Sequence, residues 1–124
     1  MSVFFYEITH WETTTESVQA TIKLDPSHPL FKGHFPQIPI LPGACMVQLT
    51  HHILDKLWGN KTTFLKANQI KFLQMVNPNE TNTLDAQLKW TQTADGTIKV
   101  DHILSGANGT IFKFSGTYLL TSKL

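Results

Sequence analysis

His34 lies in a segment whose prolines and glycines restrict the shape of the backbone. The segment runs from His28 to Gly43, reads HPLFKGHFPQIPILPG, and contains four prolines and two glycines. Prolines at this spacing are incompatible with regular secondary structure and predict a rigid, extended loop. Gly33, next to His34, allows a ligand or another stretch of backbone to approach the loop closely.

This loop leads into a predicted helix that begins at Gly43. The free N–H groups and the dipole of a helix N-terminus favour an oxygen that carries developing negative charge. An imidazole held beside such an amide has the arrangement needed to remove the proton next to a thioester carbonyl, while the amide stabilises the enolate-like oxygen. The alternative is a stiff surface loop in which His34 has no chemical role.

The helix that positions these groups is predicted over residues 43–58. Its residues are apolar on nearly all sides, which predicts a helix buried on most of its surface. Pro42 suits the first helical position, and Gly59 with Asn60 is a good stop signal.

Strands are predicted on both sides of the helix. Apolar and polar residues alternate with a period of two in 18–24, 84–90 and 112–120, and more weakly in 3–11, 63–76 and 97–105. Turn signals at 77–79, 95–96 and 107–109 separate them. The fold class is therefore α+β, with an antiparallel sheet of five to six strands curled around one long central helix. The sheet edges predict a dimer that continues the sheet.

Composition narrows the class of protein. The chain of 124 residues is expected to be one domain, 1–124, and its net charge of +1 with 15% charged residues does not favour nucleic acid or a membrane surface as partner. We find no signal peptide and no apolar stretch long enough to span a membrane, so a cytoplasmic location is expected.

The lone Cys45 excludes an internal disulfide and is expected to be a small buried hydrophobe rather than an activated thiol. His10, His51 and His102 have no metal-ligand spacing, so no metal is predicted.

Two segments carry a resemblance to a known family. Residues 33–36, Pro39 and residues 41–43 resemble, in order and spacing, the signature of the 3-hydroxyacyl-[acyl-carrier-protein] dehydratases. The stretch 64–72 is similar to the strand that follows the central helix in that family. The order of elements agrees along nearly the whole chain.

The resemblance implies a hot-dog fold and a dimer with two sites at its interface, formed with an identical chain or with another hot-dog chain. It also implies an acyl thioester substrate carried on the phosphopantetheine of acyl carrier protein or coenzyme A, with no other cofactor. The histidine at the position of His34 would act on the α and β carbons of the substrate. The amide at the position of Gly43 would hold the thioester oxygen.

Four further residues are predicted to contact the substrate: Phe31, Gly33, Phe35 and Pro42. For the two phenylalanines, packing in the core is an equal alternative. Lys66 and Lys71 are candidates for contact with an acidic carrier protein, although exposed strand lysines commonly serve only solubility.

The sequence departs from the family at Gln48. Family members carry a Glu or Asp five residues after the final glycine of the motif, and an amide cannot give a proton to a departing hydroxide. His52, one turn later, is a candidate proton donor, either directly or through a water held by Gln48, with Asp55 orienting it. The alternative is that His52 and Asp55 mark the solvent-exposed face of the helix.

Three functions remain open at this point. The first is dehydration of a 3-hydroxyacyl thioester, with His34, Gly43, Gln48 and His52 as catalytic residues, in fatty acid, polyene or polyketide biosynthesis. The second is thioester hydrolysis, with Gln48 and His52 positioning water. The third is a non-catalytic subunit that binds acyl chains or pairs with a hot-dog chain that supplies the carboxylate.

Overall fold

The computed structural model describes residues 4–32, 39–59, 61–93 and 95–121. Within these ranges the chain forms six strands, one α-helix and a short 3₁₀ turn. In chain order they are β1 (Tyr6–Thr13), β2 (Ser17–Leu24), the 3₁₀ turn (Pro29–Lys32), α1 (Gly43–Trp58), β3 (Thr62–Phe72), β4 (Thr83–Gln92), β5 (Thr97–Gly106) and β6 (Gly109–Leu120).

The six strands form one antiparallel sheet in the order β1-β2-β4-β5-β6-β3. Strand β3, which follows the helix directly, pairs with β6, with Thr62 opposite Leu120 and Phe72 opposite Phe112. Strands β1 and β3 are therefore the two edges of the sheet. The predicted α+β class, with five to six antiparallel strands and one central helix, is confirmed.

The inner face of the sheet and one face of α1 form the core. Residues of β2 and β5 alternate between buried and more exposed positions, as the period of two predicted. Buried residues of these two strands and the helix are Val18, Ala20, Ile22, Leu24, Met46, Leu49, Thr50, Ile53, Leu54, Ile98, Val100, His102 and Leu104. The helix is thus held by side chains from the middle of the sheet.

The opposite face of α1 is more open than its composition predicted. Gln48 and Lys56 are exposed, and Cys45, Val47 and Trp58 are only partly buried against the core. The expectation that the helix is buried on most sides is wrong for the single protomer, because the described sheet covers only one face of it. The face left open by the described residues of its own chain carries mainly polar side chains, including Gln48 and His52.

The two helix ends differ slightly from the prediction. Pro42 is the N-cap residue rather than the first helical residue, and Gly43 is the first. Gly59 ends the helix in the left-handed conformation with φ 63°, and its N–H donates a 2.7 Å hydrogen bond to the carbonyl of Asp55. A glycine suits this position because it has no β carbon to clash there.

Strand β3 is exposed along nearly its whole length. Thr62 alone among its residues is half-buried, and all the others are exposed. The predicted strand over 63–76 ends at Phe72, after which the N–H of Leu73 donates to the carbonyl of Ile111 at 2.7 Å. The chain then crosses toward the start of α1 instead of extending the sheet.

The other strand bounds shift by a few residues. Strand β1, predicted over 3–11, runs from Tyr6 to Thr13, and residues 1–3 lie outside the described ranges. Strand β6, predicted over 112–120, already begins at Gly109, because residues 106–109 form the hairpin with β5. Glycine at position 109 meets the positive φ of 106° that this hairpin requires.

One polar pair lies inside the core. His102 of β5 is fully buried, and its Nδ1 is 2.7 Å from Oγ1 of Thr50 on α1. The Thr50 hydroxyl also donates to the carbonyl of Met46 at 3.3 Å, so Nδ1–H of His102 is the donor in the shared bond. Nε2 of His102 has no hydrogen-bond partner among the described residues. Burial lowers the pKa of His102 to about 3, which keeps the imidazole neutral.

This buried histidine predicts a loss of stability in mild acid. The unfolded chain binds a proton at His102 near the ordinary pKa of 6.5, whereas the folded chain binds it only near pH 3. The free energy of unfolding should therefore fall as the pH drops below 6.5, by up to about 1.4 kcal/mol per pH unit for this group. Urea titrations between pH 7.5 and 5 measure this slope, and a His102→Gln variant should reduce it. His10→Gln, at an exposed position, is the control, and equal slopes for the two variants would contradict the prediction.

Candidate active site

The predicted chemistry lies in the loop before α1, and the structure describes the chain on both sides of that loop. Gly33, His34 and Phe35 lie outside the described residues, so the roles assigned to them stay predictions. Phe31, just before the loop, is 1% exposed and belongs to the core. This burial favours the core-packing alternative for Phe31 over a position that faces the substrate.

The start of α1 is held by the chain that leaves β3. The N–H of Leu41 donates a 2.8 Å hydrogen bond to the carbonyl of Val76. Pro42 follows with an extended backbone, at φ −64° and ψ 145°, and supplies no side-chain cap. The amide of Gly43 precedes the first acceptor that the helix can offer, so it has no acceptor within the helix. The dipole adds a partial positive charge at this point.

An aromatic ring from β3 lies against the first helical residue. A β carbon added to Gly43 would lie 2.8 Å from Cε1 and 2.9 Å from Cζ of Phe72. The Phe72 ring stacks on Phe112, with ring centroids 5.4 Å apart and planes 26° apart. The φ of Gly43 is outside the left-handed region, so a side chain at position 43 would meet no backbone strain but would have to displace the end of the Phe72 ring.

Gln48 lies on the exposed face of α1, five residues after Gly43. At 1.5 Å of rise per residue, the two Cα atoms are separated by about 7.5 Å along the helix axis. The Gln48 amide can donate and accept hydrogen bonds but has no proton to give as an acid. The side chain is therefore placed to hold a hydroxyl or a water, while the proton for a leaving group has to come from elsewhere.

His52 is turned toward β1. Its Nδ1 is 2.9 Å from the hydroxyl oxygen of Tyr6, and its ring also contacts Phe4. These residues border a largely apolar cleft of about 500 Å³ between β1 and α1, also lined by Asp55 and Lys56. Burial raises the pKa of Tyr6 to about 12, so the phenol keeps its proton. The proton-donating role predicted for His52 stays a prediction.

His51 is a polar residue whose position the sequence analysis did not predict. Its ring lies 4.9 Å from Phe64 and 5.7 Å from Tyr118, measured between centroids, and so faces the β3 side of the helix. Within the described chain, Nε2 of His51 and the hydroxyl of Tyr118 are buried without hydrogen-bond partners. Burial lowers the pKa of His51 and raises that of Tyr118. Because successive helix residues point about 100° apart, His51 and His52 had to face different neighbours.

The other candidate residues are a cysteine on α1 and two lysines on β3. Cys45 is partly buried beside the core, and burial raises the pKa of its thiol, which agrees with a small hydrophobe and not with an activated thiolate. Lys66 and Lys71 are exposed on β3, and their contact with a carrier protein stays a prediction.

The described ranges contain neither a cluster of metal-ligating side chains nor a membrane-spanning helix. No group of three or more His, Cys, Asp or Glu side chains there could hold a metal ion. No helix in the described part of the chain is both long and apolar enough to cross a membrane.

Comparison with known proteins identifies the family. The model of the ApeI-like family, described as ApeI dehydratase, matches residues 10–107. The chain belongs to the ApeI-like dehydratase family. The match runs from the second half of β1 to the end of β5, and it confirms the resemblance to dehydratases seen in the loop before α1.

Curated relatives of this ApeI-like chain include several 3-hydroxyacyl-[acyl-carrier-protein] dehydratases named FabZ. The protein from Rickettsia bellii is 37% identical over 87 residues, which are 60% of each chain. The one from Chlamydia caviae is 27% identical over 99 residues, which are 73% of this chain and 64% of the relative. The one from Ruminiclostridium cellulolyticum is 29% identical over 80 residues, which are 59% of this chain and 56% of the relative. The ApeI-like chain therefore spans less than two thirds of the length of these relatives.

Solved structures confirm the hot-dog fold. The dehydratase heterocomplex ApeI:P from Xenorhabdus doucetiae matches with a TM-score of 0.75 and 23% identity, over 92% of this chain and 97% of that one. A hypothetical thioesterase with coenzyme A from Streptococcus pneumoniae matches with a TM-score of 0.70 and 15% identity, over 95% of this chain and 87% of that one. At these identities the likeness is one of fold, which both dehydratases and thioesterases share.

Proposed function

We propose that this ApeI-like chain binds acyl thioesters at the start of α1 and catalyses the reversible dehydration of a 3-hydroxyacyl thioester to the trans-2-enoyl thioester. The observation that carries the proposal is the helix start itself. The proline-rich loop containing His34 leads into a helix whose first residue, Gly43, has neither a side-chain cap nor an acceptor in the helix for its amide. The family assignment supports the reaction class.

The reaction assigns a task to each group. The amide of Gly43 donates to the thioester oxygen and stabilises the negative charge that develops when His34 removes the α-proton. The bond between the β carbon and its hydroxyl then breaks, a double bond forms between the α and β carbons, and the hydroxyl leaves as water after taking up a proton. Gln48 orients this hydroxyl, and His52 supplies the proton, either directly or through a water held by Gln48.

Two other functions have specific support. Hydrolysis of a thioester would use Gln48 and His52 to place a water, and the similar fold of a hypothetical thioesterase supports this alternative. A non-catalytic role beside a second hot-dog chain is favoured by the absence of a carboxylate at position 48. The similar ApeI:P structure is itself a heterocomplex of dehydratases.

The substrate carrier and the location belong to the same proposal. We expect the acyl group to be bound to the phosphopantetheine of acyl carrier protein or coenzyme A, with no other cofactor, and we expect the protein to act in the cytoplasm. Fatty acid, polyene or polyketide biosynthesis is the context that such a reaction fits.

Assembly into a dimer is also proposed, because β3 leaves an apolar edge uncovered within the protomer. Large apolar side chains are exposed on β3 and just after it: Phe64, Leu65, Ile70, Phe72, Leu73 and Met75, with exposed fractions between 42% and 80%. An unpaired edge strand that carries such residues suits pairing with the same edge of another hot-dog chain. The open face of α1 would be covered by the same contact.

One assay separates the candidate functions. Given a trans-2-enoyl thioester, the wild-type chain should remove the conjugated absorbance without releasing free thiol, whereas a thioesterase would release thiol. His34→Ala should lower the rate by about 10² to 10⁴, as expected for loss of an acid–base group. Wild-type rates no higher than those of His34→Ala in both assays would contradict both enzymatic functions and favour the non-catalytic subunit.

In the same experiment, Gln48→Glu tests the assignment of the missing acid. If Gln48 occupies the acid's position, the glutamate should raise the dehydration rate, because a carboxylic acid can supply the proton that the amide cannot. Gln87→Glu, at an exposed position on β4, is the control for the same change of charge. An unchanged or lower rate for Gln48→Glu would show that position 48 does not face the reacting hydroxyl.

Sedimentation tests the proposed dimer contact along β3. The wild-type chain should sediment as a dimer, and Ile70→Lys should shift it to the monomer, because a charge on this edge opposes pairing. Gln87→Lys, at an exposed position of the central strand β4, should leave the dimer intact. A monomeric wild type, or equal behaviour of the two lysine variants with unchanged circular dichroism, would contradict a dimer through β3.

A further inference from the structure

The ring of Phe72 lies so close to Gly43 that any side chain at position 43 would have to displace it. The three atoms nearest to a β carbon built on Gly43 all belong to this ring, at 2.8, 2.9 and 3.3 Å. Contacts shorter than 3.0 Å are essentially absent from real structures, so a β carbon and the ring cannot both remain in place. A side chain at position 43 would therefore change the position of the Phe72 ring.

We propose that Phe72 is a positioning residue of the active site, whose ring forms the wall beside the Gly43 amide and fixes how the thioester oxygen meets it. This inference rests on the proposed function. It assigns to β3 a part in the reaction in addition to its part in the dimer edge.

The direction of the contact places the ring beside the amide. Bonds from Cα to Cβ in a helix tilt toward the N-terminus, which is also the direction in which the free N–H groups point. A ring whose nearest atom lies 2.8 Å from the Cβ position of Gly43 therefore flanks the space in front of its N–H. An apolar wall at that place keeps water from the amide and strengthens its interaction with a developing oxyanion.

The core supports the ring from behind. Phe72 stacks on Phe112, which is fully buried and contacts the ring of His102 with centroids 5.4 Å apart. Phe72 as a whole remains 53% exposed in the protomer. The ring is thus held on the inner side, and it lies on the edge where the proposed partner chain would cover its outer side.

The backbone holds the two segments together independently of the ring. The hydrogen bond from Leu41 to the carbonyl of Val76 joins the chain entering α1 to the chain leaving β3. Substitution of Phe72 therefore removes the wall without releasing the helix start. This allows a role in positioning to be separated from a role in folding.

A double-mutant cycle on the full-length protein tests the inference. Gly43→Ala should lower kcat for enoyl-thioester hydration by up to about 10²-fold with a much smaller change in KM, since the added methyl either shifts the amide or pushes the ring away from it. Phe72→Ala should lower kcat less, and Phe72→Leu least. The double variant Gly43→Ala, Phe72→Ala should be no slower than Phe72→Ala, because the clash is gone.

Phe64 provides the matched control. It is a half-exposed phenylalanine on the same strand, and none of the three atoms nearest to position 43 belongs to it. Combining Phe64→Ala with Gly43→Ala should give the product of the two single effects, as expected for residues that are not in contact. Thermal unfolding of every variant shows whether a loss of kcat accompanies a loss of folded protein.

Each outcome decides one question. Rescue of kcat in the Phe72 double variant, with additive losses in the Phe64 pair, supports the role of Phe72. If the wild type is active but the double variant Gly43→Ala, Phe72→Ala shows the product of the two single losses, the role of Phe72 is overturned. The proposed function then still stands. An inactive wild type overturns the proposed function and, with it, the role of Phe72.

Discussion

The start of α1 is fixed from the side by the chain that leaves β3. One hydrogen bond, from Leu41 to Val76, and one ring contact, from Phe72 to Gly43, join two segments that are about 30 residues apart in sequence. The helix N-terminus consequently faces a defined space, with its first amide unpaired within the helix. The position of every other candidate group on α1 follows from this attachment, since Gln48, His51 and His52 lie at set rotations from Gly43 along a rigid element.

The same attachment relates the site to assembly. Strand β3 carries the ring that borders the amide, and it also carries the apolar edge that the described part of the protomer leaves open. A chain that pairs along this edge would cover the outer side of Phe72 and the open face of α1 at once. Binding of the substrate and pairing of the chains would then depend on the same strand.

Much of the fold was predictable because local patterns determine it. Alternation in β2 and β5 corresponds to their buried inner faces, and Gly59 ends the helix as its type predicts. Strand β3 broke the pattern because the described residues of the protomer bury neither of its faces. Its pairing with β6 was not predictable from local sequence, since the two strands are separated by β4 and β5.

The site was predictable in part for the same reason. The Pro42–Gly43 start of the helix follows from residue types that act locally, whereas Phe72 and His51 acquire their places only through packing between distant elements. Sequence spacing puts His51 beside His52, but it does not say that one contacts Phe64 and the other Tyr6. Such contacts depend on how the sheet closes around the helix.

The most direct test of the account is the amide of Gly43 itself. A 3-hydroxyacyl-pantetheine analogue in which NH replaces the thioester sulfur keeps the carbonyl and resists hydrolysis. In nitrogen–proton correlation spectra, titration with this analogue should move the Gly43 amide proton downfield and slow its exchange with water, as expected when it donates to the carbonyl oxygen. A Gly43 signal that does not move at saturation, while signals elsewhere in the chain do, would contradict the account.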